Sequence, residues 1–181
     1  MKKKPLILLT ILIATIVVYW NFRLDIEEYF FSKHVIYWSP NAKLNYSDFQ
    51  ERSNENSIDN VHYYYGLYLK ANSIDKAFVR AYFNKNQSGI KDTLDSGIDT
   101  EMKIQKLIFD LHEVYARKFN FEINKIKFDA NTKYADLEKI GARIFPELQT
   151  KTDLIFKTNE PDAEILAIWR PKIDSLLAQH K

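Results

Sequence analysis

The stretch TEMKIQKLIFDLHEVYARKFNFEINKIKF, residues 100–128, is the longest strongly periodic segment after the N-terminus. Its apolar residues recur at spacings of three and four, which places a broad apolar stripe on one side of an α-helix. Neither glycine nor proline interrupts it, so the pattern predicts about six or seven helical turns. Asp99 or Thr100 can cap its first free N–H groups, and Glu101 suits the positive end of its dipole. The predicted core stripe comprises Met102, Ile104, Leu107, Ile108, Leu111, Val114, Tyr115, Phe119 and Ile123.

The N-terminal stretch Met1–Phe22 reads MKKKPLILLTILIATIVVYWNF. Three lysines precede an uncharged apolar run that approaches the ~30 Å hydrocarbon core of a membrane at ~1.5 Å per residue. A signal-peptide cleavage site needs small residues, whereas this run ends in bulky ones, and Tyr19 and Trp20 are typical interfacial anchors. The pattern therefore predicts an uncleaved transmembrane helix within residues 1–24. Secretion after signal cleavage is the alternative.

The rest of the chain, residues 25–181, is long enough for one compact core. The 181-residue chain has a formal charge of +2, which falls to about −1 without Lys2, Lys3 and Lys4. The basic residues are spread along the sequence, so nothing indicates a nucleic-acid surface. With zero cysteines, disulfides and thiolate metal sites are excluded. The positive-inside rule places the lysines in the cytoplasm and residues 25–181 outside it.

Two β-rich runs, Val61–Ala71 and Lys76–Asn84, predict an antiparallel strand pair, and a third strand is expected at His34–Trp38. Arg23–Ser32 reads as a short amphipathic helical connector. Gly66 indicates a bulge or a close backbone approach.

Two further amphipathic helices are expected after a break at residues 130–132. One covers Tyr134–Leu148, and a loop or short strand follows at Thr150–Thr158. The last begins near Asn159 and is kinked at Pro171. The predicted fold class is α+β: a small antiparallel sheet packed against a long central helix and two C-terminal helices, preceded by one transmembrane helix.

The segment FDLHEVYARK, residues 109–118, resembles the second half of a motif from a bacterial family of secreted, zincin-like proteins of unknown function. That family is predicted to be zinc-dependent protease-like, and its motif is H-E-x-x-H followed by F-D-[IL]-x-E-x-Y-A-R-K. A shorter segment, Leu44–Phe49, resembles the family's N-terminal pattern L-x-[WY]-S-D-F. The resemblance implies a zincin-like fold, a bacterial source and a periplasmic domain held at the cell membrane.

The metal-binding half of the motif is replaced in this chain. Ile104 and Ile108 stand where the family has histidines, and Gln105 stands where it has glutamate. In H-E-x-x-H the histidines hold one zinc ion and the glutamate activates its water. Isoleucine has no lone pair for a metal and glutamine is not a base near neutral pH. We therefore expect no catalytic residues and no cofactor.

An alternative set of zinc ligands comprises His62, His112 and Glu160. His112 lies on the same helical face as Ile104 and Ile108, although an isolated histidine there is most often structural. The family has a histidine near the position of Glu160. Further residues that match the family are expected to be structural or to line a cleft: Asp48, Asp110, Glu113, Tyr115 and Arg117.

The leading functional hypothesis is a membrane-anchored, catalytically inactive zincin-like protein that binds a peptide or an envelope partner. The alternative is a zinc-dependent, peptidase-like hydrolase with rearranged ligands. A purely architectural envelope role is a third possibility.

Overall fold

The computed structural model describes residues 3–51, 60–71, 77–126, 134–156 and 160–179. The chain divides into two compact units, Met1–Lys33 and His34–Lys181. The first unit extends beyond residue 24, the expected end of the anchor, because its helix does not stop there. Each unit is described by itself below.

The first unit is a single helix, α1 (Lys3–Ser32). Its segment Leu8–Ser32 is long and apolar enough to cross a membrane, and a signal sequence would meet the same criterion. Its polar side chains are satisfied within the helix, since Thr15 Oγ1 donates to the Ile11 carbonyl and Asn21 Nδ2 to that of Val17, as a helix in hydrocarbon requires. The connector expected at residues 23–32 is therefore helical but continuous with the apolar run.

The second unit is an α+β domain whose sheet is antiparallel, as expected. Strands β1 (Val35–Tyr37), β4 (Phe78–Asn84) and β3 (Tyr65–Lys70) pair in the order β1-β4-β3. Strands β2 (Val61–His62) and β5 (Gly89–Ile90) form a separate pair. The β3–β4 pairing runs from Tyr65 opposite Phe83 to Lys70 opposite Phe78 and confirms the predicted hairpin partners.

The prediction of one continuous strand over residues 61–71 is wrong. The chain leaves β2 at Tyr63 and Tyr64 and changes its partner. There the backbone N–H of Tyr64 donates to Ser88 Oγ rather than to a strand. Ser88 is fully buried and its hydroxyl in turn donates to the Asn84 carbonyl. One buried hydroxyl thus fixes the junction between the two sheets.

Helix α2 (Ile98–Ile123) is the predicted long helix, with different ends. It begins after Gly97, so Asp99 and Thr100 lie within its first turn and do not cap it. The Asp95 carboxylate accepts a hydrogen bond from the Gly97 N–H just before the helix. The helix ends at Ile123, earlier than expected, and residues 127–133, including the predicted break, lie outside the described residues.

Helix α3 (Ala135–Phe156) continues well past the expected end at Leu148. Pro146 lies inside it and has no N–H to donate to the carbonyl of Ala142, four residues earlier. Thr150 Oγ1 donates to the Pro146 carbonyl. The prediction of a loop or short strand from Thr150 is therefore wrong for residues 150–156, which are helical. Helix α4 (Asp162–Gln179) contains Pro171 as predicted, whereas Asn159, the expected cap, lies outside the described residues.

Helix α2 is the centre of the domain. Its apolar stripe packs on the sheet face that carries Val79, Ala81 and Phe83, and α3 and α4 cover its other sides. All predicted stripe residues but Met102 are buried. The buried contributors from α3 and α4 are Leu137, Ile140, Ile144, Leu148, Ile155, Ile165 and Ile173.

Candidate functional site

The altered turn of α2 is buried. Ile104 is 3% exposed, and Gln105 and Ile108 are fully enclosed. Two cavities lie beside this turn, one against Ile104 and the other against Ile108. This turn therefore lies between two clefts, with Ile104 in the wall of one and Ile108 in the wall of the other.

Gln105 has a defined place in this turn. The Tyr65 hydroxyl lies 3.0 Å from both the carbonyl oxygen and Oε1 of Gln105, and it donates to them. Gln105 Nε2 donates to Glu101 Oε1 at 2.5 Å. Because the side-chain amide uses both its oxygen and its nitrogen, glutamine links β3 to the first turns of α2.

The first cavity, about 700 Å³, lies among β2, the start of α2, the end of α3 and the start of α4. It is acidic. The pKa of Glu164 beside it is raised because its carboxyl shares a hydrogen bond with Glu160. His62, whose Nε2 lies 3.4 Å from Glu51 Oε2, is the imidazole on its wall. The carboxylates in its lining are Asp95, Glu101, Glu160 and Asp162.

The second cavity, about 420 Å³, is a groove with α2 as its floor and β3 and α3 as its walls. Ile108 and His112 form the floor. Among the described residues that line this groove, none carries a formal charge at neutral pH. Its lining is Tyr63, Tyr64, Tyr65, Gly66, Leu67, Tyr82, Ile108, His112, Phe145, Leu148, Gln149 and Thr152.

His112 is a buried neutral imidazole. Its Nδ1 lies 2.9 Å from the Ile108 carbonyl. A carbonyl can only accept, so Nδ1 carries the proton and Nε2 keeps a lone pair. Burial lowers the pKa of His112 to about 4, against the smaller opposing effect of that hydrogen bond. At neutral pH the groove floor therefore presents a hydrogen-bond acceptor.

Thr152 is the second polar group of the groove. Its Oγ1 is buried and has no hydrogen-bond partner among the described residues. Other helical threonines bond the carbonyl four residues earlier, as Thr150 and Thr15 do. A buried hydroxyl without a partner is costly unless a water or a ligand satisfies it.

The outer edge of β3 forms one wall of the groove. The Asn84 N–H donates to the Tyr64 carbonyl, which sets the alternation of the antiparallel ladder. Tyr65, Leu67 and Leu69 consequently direct their backbone N–H and C=O groups away from β4. In the described part of the chain no other strand pairs with this edge.

Gly66 lies where the wall is tightest. A Cβ on Gly66 would lie 2.5 Å from Cζ and the hydroxyl oxygen of Tyr82, its cross-strand neighbour. Glycine therefore lets the Tyr82 ring lie flat on the strand at the rim of the groove. The sequence indicated a bulge or a close backbone approach, whereas the group that comes close to Gly66 is the Tyr82 side chain.

The alternative zinc ligands are separated. His62 and Glu160 line the first cavity, whereas His112 lines the second. Over the described ranges, no three His, Cys, Asp or Glu residues are grouped so that they could hold a metal ion.

Asp110 anchors the far half of α2. Its buried carboxylate accepts hydrogen bonds from Trp38 Nε1 at 2.7 Å, Lys106 Nζ at 2.5 Å and Arg170 Nη1 at 2.7 Å. It joins the segment after β1 to α2 and α4. Trp38 and Arg170 were not among the predicted site residues. Trp38 could be read only as a strand aromatic, and nothing in the sequence relates Arg170 to Asp110.

Glu113 and Arg117 make the expected i,i+4 pair at 2.8 Å. Arg117 also donates to the Leu177 carbonyl on α4 and lies over the Trp38 ring. Burial raises the pKa of Glu113 against the opposing effect of Arg117. The pair is therefore part of the helix packing and is not an exposed surface ion pair.

Asp48 and Tyr115 lie apart from both cavities. Asp48 ends a short 3-10 turn, Tyr46–Asp48, and its Oδ2 accepts from the backbone N–H of Asn45. It thus caps that turn. Tyr115 is buried in the core, with its pKa raised by burial.

Comparison of the chain with known protein families, with curated proteins and with solved structures gives no match.

Proposed function

We propose that this protein is a membrane-anchored, non-catalytic member of the zincin-like family that binds an extended peptide segment of an envelope partner along the outer edge of β3. The observation that carries the proposal is a strand edge that pairs with no other strand in the described part of the chain and forms one wall of an uncharged groove. The groove lies directly beside the turn where the family motif has its metal ligands.

The edge of β3 supports peptide binding because backbone groups without partners favour an added strand. A peptide lying in the groove would pair with the N–H and C=O groups of Tyr65, Leu67 and Leu69. Alternate side chains of the peptide would then face Ile108 on the floor. Main-chain bonds would supply affinity and the floor would supply selectivity.

The altered turn supports a binding role without hydrolysis. Ile104 and Ile108 are packed in the core and offer no ligand atom. Gln105 already uses its amide in bonds to Tyr65 and Glu101. Helix α1 would hold the domain at the bacterial cell membrane, with its lysines in the cytoplasm and the domain in the periplasm.

A test uses the full chain in lipid nanodiscs and an array of capped, extended decapeptides. We expect a subset of peptides to bind and to slow amide hydrogen exchange at Leu67 and Leu69. Methylation of alternate peptide nitrogens should weaken binding about tenfold, because it removes strand-pairing donors. Binding without any change at β3 would contradict the proposal.

A matched pair of variants sharpens this test. Leu67→Pro removes one outward N–H but none that bonds β4, so it should weaken peptide binding by about tenfold. Leu67→Ala keeps that N–H and controls for the loss of the side chain. Equal losses in both variants would mean that the side chain, and not the strand edge, holds the peptide.

A zinc hydrolase that uses His62, His112 and Glu160 is the competing proposal, and His62 and Glu160 do share a cavity. Metal analysis of the purified full chain separates the two. One zinc ion per chain retained through dialysis, together with turnover of a peptide substrate that His62→Ala abolishes, would favour the hydrolase.

A further inference from the structure

Two of the polar residues that line the groove between β3 and α3, His112 and Thr152, offer groups of specific chemistry, beside its tyrosine hydroxyls and Gln149. Its walls are tyrosine-rich and uncharged, in contrast to the acidic cavity on the other side of Gln105. A ligand with a full charge would lose its water here without gaining an opposite charge. A wholly apolar ligand would leave the buried Thr152 hydroxyl unpaired.

The two polar groups differ in what they offer. His112 Nδ1 is occupied by the helix's own carbonyl, so only the lone pair on Nε2 is open to a ligand. Thr152 Oγ1 can donate as well as accept, but it is shielded from solvent, so a ligand reaches it only when the side chain rotates toward the groove. A ligand that satisfies both must donate to the imidazole and accept from the hydroxyl.

We propose that the groove selects peptides carrying an asparagine or glutamine side chain, whose carboxamide N–H bonds His112 Nε2 and whose oxygen accepts from Thr152 Oγ1. This inference rests on the proposed binding of a peptide at β3. A carboxamide is uncharged and presents one donor and one acceptor in a fixed plane. The neighbouring tyrosine rings would pack on its flat faces.

The neutral state of the imidazole agrees with this assignment. A protonated His112 would present a donor at Nε2 and would favour a carboxylate instead. Its lowered pKa keeps the ring neutral at ordinary pH.

The experiment measures fluorescence anisotropy of twenty capped pentapeptides, Thr-Val-X-Val-Thr, with every residue at X, against the full chain in nanodiscs. We expect Gln or Asn at X to bind about tenfold more tightly than Leu, Glu or Lys, because a mismatched side chain leaves a buried polar group unpaired.

Variants assign the effect to the two polar groups. Thr152→Val keeps the shape but removes the hydroxyl, and His112→Phe removes the acceptor. Each should reduce the preference for Gln over Leu to about twofold or less, mainly by weakening the binding of the Gln peptide. Thr150→Val is the matched control, since its hydroxyl bonds its own helix, and it should keep the full preference.

The outcomes separate this inference from the proposed function. Equal binding of all twenty peptides, lost in Leu67→Pro, would overturn the carboxamide preference and leave strand pairing in place. A Glu or Lys preference would also overturn it. No binding by any peptide would overturn both. Should His112→Phe fail to fold, Thr152→Val decides alone.

Discussion

The two halves of α2 differ in what surrounds them. The first half, Ile104 to Ile108, faces two cavities and is the part that departs from the family motif. The second half, Phe109 to Lys118, is the part that resembles it, and its polar side chains bond the neighbouring elements. Asp110 bonds Trp38 and Arg170, Arg117 bonds Leu177, and Lys118 bonds Glu147.

This contrast shows what the resemblance in the second half can support. Residues that join four elements are needed for the fold whether or not any chemistry takes place beside them. In the first half, where the motif that the chain resembles has metal ligands and a base, this chain has two isoleucines and a glutamine. A match confined to the packing half therefore supports an expectation about the fold more than one about activity.

The most direct test of this difference between the two halves is to substitute Asp110, which lies at the centre of the hydrogen bonds made by the second half of α2. Asp110→Asn takes the charge from a carboxylate that is 7% exposed and leaves Lys106 and Arg170 without their shared partner. We expect the free energy of unfolding to fall by about 3 kcal/mol. Urea denaturation in detergent, followed by tryptophan fluorescence, measures it.

The control for Asp110 is Asp174→Asn, which affects the same arginine at the surface. The Asp174 side chain is 60% exposed in its pair with Arg170. Its loss should lower stability by less than about 1 kcal/mol. Equal losses at both positions would mean that the second half of α2 is not anchored by Asp110.

His112 lies near the boundary of the two halves. Its burial predicts that the free energy of unfolding falls in acid. Its pKa is about 4 in the folded chain, below the ordinary 6.5, so the unfolded chain takes up the proton first as pH falls. The stability it contributes is complete above pH 6.5 and is lost progressively toward pH 4, on the order of 3 kcal/mol in all.

The measurement is the unfolding free energy between pH 7 and pH 4 for the natural chain and for His112→Gln. The natural chain should lose stability more steeply over this window, because glutamine does not titrate. His62→Gln is the matched control, since it removes an imidazole whose side chain is 62% exposed. Parallel curves for the natural chain and His112→Gln would contradict the burial argument.

Gln105→Glu restores the family's glutamate in the cavity-facing half and should have the smallest effect. A carboxylate there faces Glu101 Oε1 in place of a donating N–H. We expect a loss of about 1–3 kcal/mol at pH 7, shrinking in acid as the new carboxyl gains a proton to donate. Differential scanning calorimetry of both forms measures it.

Gln149→Glu is its control at the surface. Gln149 likewise donates to a carboxylate, Asp153 Oδ1 at 2.7 Å, but in water. The change should cost less than about 0.5 kcal/mol, because solvent screens the new repulsion. If Gln105→Glu were equally harmless, the turn would still accept the family's acid.

Much of the fold could be predicted because periodicity reports burial. The spacing in residues 100–128 identified the central helix, and the β-rich run Lys76–Asn84 identified the strand β4. The helix ends were predicted less well. The start of α2 depends on Asp95 before Gly97, and α3 continues past Pro146 although proline cannot donate to the carbonyl four residues earlier.

The candidate site could be predicted only in part. Ile104, Gln105 and Ile108 were singled out by a resemblance that stays a prediction, and the structure shows that all three are buried. The pairing of His112 with Thr152 in one groove depends on how α3 packs on α2, and no local pattern encodes it. The junction at Ser88, which separates β2 from β3 and creates the groove wall, is equally a matter of long-range contact.

The size of the groove depends on the absence of a Cβ atom at Gly66. With even one methyl group on that residue, Tyr82 would have to swing away from the sheet, since the added atom would lie 2.5 Å from its ring. The displaced phenol would have the rim of the groove as its nearest open space. With alanine at residue 66 the displaced Tyr82 ring would then block the entrance of the groove. Glycine, which has no side-chain carbon, keeps that entrance open.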